Sequence, residues 1–185
     1  MEGTPRTTRL RWLPNAITIL RLAGIPVLIW LVAQADGPTA PEVAIVFFAL
    51  AATDFVDGKL ARALHAESAF GRVADPLADR LLMAVGLISL IVLDRFPWPG
   101  PAIILARDLT AMAAFVVLAR RGVTLRVDTP GKISSALAMI AVALALLLDR
   151  TWVDVLFWAA VALSIATFVN YGRGAVRRAR ISGST

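Results

Sequence analysis

Apolar residues come along this chain in long runs rather than in the strict alternation of half-buried strands. Several runs approach the roughly 20 residues that carry a helix across a bilayer, and each ends at proline, glycine or charge. Six are legible, at about 14–35, 42–63, 72–93, 101–120, 131–148 and 153–171. Pro14 opens the first, and the tract ADGPTAP, with Gly37, Pro38 and Pro41, separates it from the second. DRFPWPGP, from Asp94 to Pro101, makes a turn with an interfacial Trp98, and DRTWVD makes another. The pattern predicts an all-α integral membrane protein of six transmembrane helices. A short interfacial helix precedes them over 1–13, where Arg6, Arg9 and Arg11 sit beside Leu10, Trp12 and Leu13. Residues 14–172 then form the six-helix domain, and 173–185 a basic tail carrying Arg173, Arg177, Arg178 and Arg180.

Composition agrees with this. Hydrophobic residues are 58% of the 185, against about 45–50% in an ordinary soluble domain. The net charge of +6 then reads as topology and attraction to anionic lipid, not as nucleic-acid binding. Six spans put both termini on one side, together with the 59–80 region and the 120–132 loop. The opposite turns hold only Arg95 and Arg150 of the 19 lysines and arginines. The positive-inside rule therefore places both termini on the cytoplasmic face of the cell membrane.

Polar chemistry concentrates between Asp54 and Arg80. Four aspartates, Asp54, Asp57, Asp75 and Asp79, stand there between apolar runs. Charge at the bilayer centre is costly, about 2.5–3.5 kcal/mol per residue on insertion scales, so four carboxylates need a counter-charge. Cysteine is absent and His65 is the only histidine, which leaves oxygen ligands and hence Mg²⁺, Mn²⁺ or Ca²⁺. On a helix, Asp54, Asp57, Gly58, Ala61 and Arg62 fall at i, i+3, i+4, i+7 and i+8 and share a face. Gly71, Asp75 and Asp79 fall at i, i+4 and i+8 and do the same. Two such faces opposed would gather four carboxylates around hard cations, and a pair of metals can clamp a phosphoryl displacement. Gly58 and Ala61 leave room for a flat base or a close phosphate, and Arg62 has the fork to meet a phosphate.

The segment fits the pattern D-x2-D-G-x2-A-R-x8-G-x3-D-x3-D from Asp54 to Asp79. It resembles the CDP-alcohol phosphatidyltransferases, and the six-span layout extends the likeness over nearly the whole chain. LPNAITILR, ADPLADR, the ARD of Ala106–Asp108 and the GK of Gly131–Lys132 look like the phosphatidylglycerophosphate synthase branch. DGKLARAL, RDL and RRG also resemble bacterial cardiolipin synthases. The resemblance implies two divalent cations, Mg²⁺ or Mn²⁺, held by Asp54, Asp57, Asp75 and Asp79. It further implies that Asp79 deprotonates the alcohol and that Gly58, Ala61, Arg62 and Gly71 line the CDP site. CDP-diacylglycerol would be the donor, with a polyol phosphate or a lipid as acceptor, in a homodimer.

Three cations outside the motif are candidates for the acceptor's phosphate. Lys132 opens the fifth run on the aspartate side, where it either meets that phosphate or adds to the positive-inside bias. Arg107 lies within a run and needs a partner, which Asp108 or an aspartate of another helix can supply. Arg21, two turns into the first run, either lines the same cavity or snorkels. His65 reads as a loop residue. Two other classes use part of the pattern. A cation transporter would bind its ion with the aspartates but has no need of Gly58, Ala61 or Arg62; a scaffold needs none of them.

Overall fold

The computed structural model describes residues 13–64, 71–120 and 129–182, with side chains over 18–53, 77–114, 117 and 131–170. The interfacial helix expected over 1–13 falls almost wholly outside these residues, as does His65. Among the described residues there are six helices and no strand: α1 (Leu13–Gln34), α2 (Pro41–Leu64), α3 (Gly71–Val92), α4 (Pro99–Arg120), α5 (Thr129–Leu147) and α6 (Thr151–Ser182). Each helix packs on the next from α1 to α4 and again at α5–α6, while α4 also packs on α6 and α2 on α5. The third helix packs against α1, α2, α4 and α5, so it is the centre of the bundle.

The helices begin and end where the backbone chemistry requires. Pro41 and Pro99 occupy first helical positions, where the missing N–H is no loss and the fixed φ suits the turn. The fourth helix accordingly starts at Pro99 rather than Pro101. The third closes with Asp94 in the left-handed region at φ 50°. Arg95 N donates to Leu90 O at 2.9 Å and Asp94 N to Ile91 O at 3.1 Å, the paired bonds of a Schellman cap. The sixth helix runs on to Ser182, so the arginine-rich segment after 172 continues it as helix.

Between the helices lies a continuous apolar core. It contains Phe47 of α2, Leu82, Leu87 and Leu90 of α3, Ile104 of α4, Ala141, Val142 and Leu146 of α5, and Val153 and Phe157 of α6. Gly86 lets α3 lie close to its neighbours. A Cβ there would meet the Phe47 ring at 2.5 Å and Val142 at 2.9 Å. Gly86→Ala is therefore expected to lower stability by about 1–3 kcal/mol, the usual effect of overpacking. Thermal unfolding of the purified variant measures it, and an unchanged midpoint would contradict the close packing.

The end away from the motif is fastened by Arg95, whose side chain is 7% exposed. Nε donates to Ala145 O at 3.3 Å and Nη2 to Leu148 O at 3.3 Å, satisfying carbonyls at and just past the end of α5. Nη2 also pairs with Asp154 of α6 at 2.5 Å and Asp149 at 3.4 Å. The guanidinium lies 4.7 Å over Phe96, which stacks on Phe157 at 4.0 Å. Beside this clamp, Ala40 N donates to Leu146 O at 2.8 Å.

Of the six expected membrane spans, one stretch among the described residues, Thr151–Asn170, is long and apolar enough to cross a bilayer. Thr18–Gln34, Pro41–Thr53 and Gly131–Leu147 are apolar but shorter, within 10–17 residues.

Candidate active site

Helical phasing of the motif requires unbroken helix through both halves. Both conditions hold, since Asp54 to Arg62 lies within α2 and Gly71 to Asp79 within α3, past Pro76. These helices pack against each other and are joined by residues 65–70. Asp54 and Asp57 therefore stand in the second half of α2, and Asp75 and Asp79 in the first half of α3. The side chains of Asp54, Asp57, Gly58, Ala61, Arg62, Gly71 and Asp75 lie outside the described ones, so the expected four-carboxylate cluster lies outside them too, and only the helices that bear it are described. Asp79 is described, and it is half-buried.

Immediately after Asp79 comes a charge network that joins three helices. Arg80 Nη1 of α3 lies 2.9 Å from Asp108 Oδ2 of α4. The other oxygen, Oδ1, accepts from Arg107 Nη1 at 2.7 Å. Arg107 Nη1 also donates to Ser135 Oγ at 2.9 Å, and Nη2 to the Gly131 carbonyl at 3.2 Å, both on α5. Residues 131 and 135 are one turn apart, so Arg107 grips the start of α5 along one face. Arg107 is 7% and Asp108 4% exposed. At that depth a charge is tolerated only when paired and hydrogen-bonded.

The three acceptor-phosphate candidates thus have different settings. Arg107 has the partner its burial demanded, and that partner is Asp108; both Nη1 protons already have acceptors. Lys132 follows Gly131 and is exposed, so the grip on Gly131 holds its backbone next to the network. Arg21 is 1% exposed on α1, a helix that packs on α2 and α3; burial this deep is not that of a snorkelling residue. Sequence reasoning did not single out Arg80 or Ser135. The signal for Arg80 was its place directly after the last motif aspartate, inside an apolar run. Ser135 carried none, because its role depends on the Arg107 side chain of α4 reaching α5.

The donor set of the motif fits hard divalent cations. It offers carboxylates on two contacting helices, in a chain without cysteine and with one histidine.

Comparison with known proteins bears on the same segment. The family model for CDP-alcohol phosphatidyltransferase matches residues 11–166. A Bacillus subtilis protein named CDP-diacylglycerol–glycerol-3-phosphate 3-phosphatidyltransferase is 31% identical over 178 residues, covering 86% of this chain and 92% of its own. A Rickettsia bellii protein of the same name is 34% identical, with 86% and 92% covered. A Streptomyces coelicolor protein named cardiolipin synthase (CMP-forming) is 33% identical, with 82% of this chain and 73% of its own covered.

Proposed function

This chain belongs to the CDP-alcohol phosphatidyltransferase family, and we propose that it transfers the phosphatidyl group of CDP-diacylglycerol to glycerol 3-phosphate, releasing CMP. The observation that carries the reading is the motif itself, complete from Asp54 to Asp79 in sequence, with each of its fixed positions in one of two helices that touch. Relatives bearing that activity in their names align over most of both chains.

The setting is the membrane. Large apolar side chains stand exposed on every helix, among them Trp30, Phe48, Ile88, Leu109, Ile140 and Phe168. Apolar surface on that scale is foreign to a soluble monomer and ordinary against lipid. Six spans are expected from the apolar runs, the charge bias favours both termini in the cytoplasm, and a homodimer is the expected assembly.

In the mechanism, Asp54, Asp57, Asp75 and Asp79 would hold two divalent cations, which when bound offset negative charge on the pyrophosphate bridge. Gly58 and Ala61 admit the cytidine nucleotide to the face of α2, and Arg62 binds its phosphate with a planar fork. Gly71 allows close approach at the start of α3. Asp79 takes the proton of the acceptor hydroxyl, which attacks the phosphorus bearing diacylglycerol; that phosphorus–oxygen bond to CMP breaks and CMP leaves with the electron pair. Lys132, and Arg21 from the other flank, orient the acceptor's own phosphate.

Purified full-length protein given CDP-diacylglycerol, Mg²⁺ and glycerol 3-phosphate is expected to release CMP at least ten times faster than with phosphatidylglycerol. The reverse preference would favour the second reading, cardiolipin synthesis, which the Streptomyces relative supports. Release with neither acceptor would remove both.

A further inference from the structure

We propose that Asp108 is a positioning residue, which holds the turn of α3 bearing Asp79 at a set distance from the first turn of α5 bearing Lys132. The proposal rests on the transfer reaction above for its kinetic consequence, but its geometry stands apart from it. Asp108 is itself sealed from solvent at 4% exposure. Its two oxygens take two different arginines, Arg80 at 2.9 Å and Arg107 at 2.7 Å. Arg80 is the neighbour of Asp79 in α3. Arg107 reaches Gly131 O, and Gly131 is the neighbour of Lys132 in α5. A line of contacts therefore runs from the base, through one carboxylate on α4, to the candidate phosphate-binding lysine. Ser135 fixes the far end by accepting a second bond from Arg107.

Charged planar groups suit this work. Guanidinium and carboxylate hydrogen bonds are short and directional, and a buried network admits few arrangements other than the satisfied one. A proton acceptor and a substrate anchor must be held to within about 0.5 Å for full rate. Neither Asp79 nor Lys132 can set that separation alone, because they stand on different helices. Asp108 can, because both links converge on it.

The test uses the full-length protein with Asp108→Asn, which keeps the shape and removes the charge. The expected result is a KM for glycerol 3-phosphate raised about tenfold and a kcat lowered about tenfold, with the KM for CDP-diacylglycerol within twofold of the unsubstituted value. Mere structural damage would reduce the active fraction and leave both KM values alone. A second measurement needs no turnover. The chain lacks cysteine, so spin labels placed at the exposed positions Leu81 and Ile133 report the α3–α5 separation, and Asp108→Asn is expected to broaden its distribution. Should Asp108→Asn fail to fold, Arg80→Gln removes one link at a half-buried site and is read the same way. An unchanged acceptor KM together with an unchanged distance distribution, in whichever variant folds, overturns the proposal. If the unsubstituted enzyme turns over only another acceptor, the assignment of glycerol 3-phosphate fails, and the KM comparison is made with that acceptor instead.

Discussion

Asp79→Asn is expected to lower CMP release by a factor of about a hundred to ten thousand, the usual contribution of a positioned general base. The substitution is nearly isosteric, so the packing of α3 around it is retained: Ala78 and Leu82 stay in the core. What changes is proton affinity, since an amide cannot take the acceptor's proton at neutral pH. The proposed mechanism also gives Asp79 a share in holding a cation, so the KM for CDP-diacylglycerol is expected to rise alongside the fall in kcat. A pure base would change kcat alone. Steady-state release of CMP with both substrates varied separates these, and a rate within threefold of the unsubstituted enzyme would remove Asp79 from the chemistry.

Arg95→Met should do the opposite, removing stability and leaving the chemistry. The thioether can fill the space against Phe96 but donates nothing. Carbonyls of Ala145 and Leu148 lose the donor they have in Arg95, and a buried acceptor left unsatisfied costs about 1–3 kcal/mol. The ion pairs add less. Asp149 is 66% exposed and Asp154 37%, so solvent screens most of their attraction. The expected loss is about 2–4 kcal/mol in all, seen as a lower midpoint in thermal unfolding in detergent or lipid discs. At a temperature where the variant is folded, kcat is expected within twofold of the unsubstituted value, because Arg95 lies at the end of α3 remote from Gly71 and Asp75. A variant as stable as the parent would mean that water serves these carbonyls equally well.

Much of the fold was legible because the punctuation is strong. Proline and glycine near 37–41, 97–101 and 130–131 separate the apolar runs, and five of the six observed helices end within two residues of the runs read from them. The exception is α6, which passes the end of its apolar stretch. Arginine and alanine are good helix formers, so loss of hydrophobicity after Asn170 does not stop the helix. Burial was harder to read than periodicity. Arg95 counted in sequence only as one of two basic residues on its side, whereas in the fold it joins α3, α5 and α6. Arg107 was recognised as needing a partner, yet its link to Gly131 and Ser135 depends on the approach of α5, some 24 and 28 positions along the chain. The motif was legible as spacing, because a helix converts spacing into direction; a network across three helices leaves no such periodic trace.

A bundle riveted at one rim cannot part there without breaking several bonds together. Around Arg95 the rivets are two main-chain carbonyls, two acidic partners and the Phe96 ring, all meeting one guanidinium, with Phe157 stacked behind Phe96. Losing Arg95 would therefore loosen α3, α5 and α6 at once rather than one at a time.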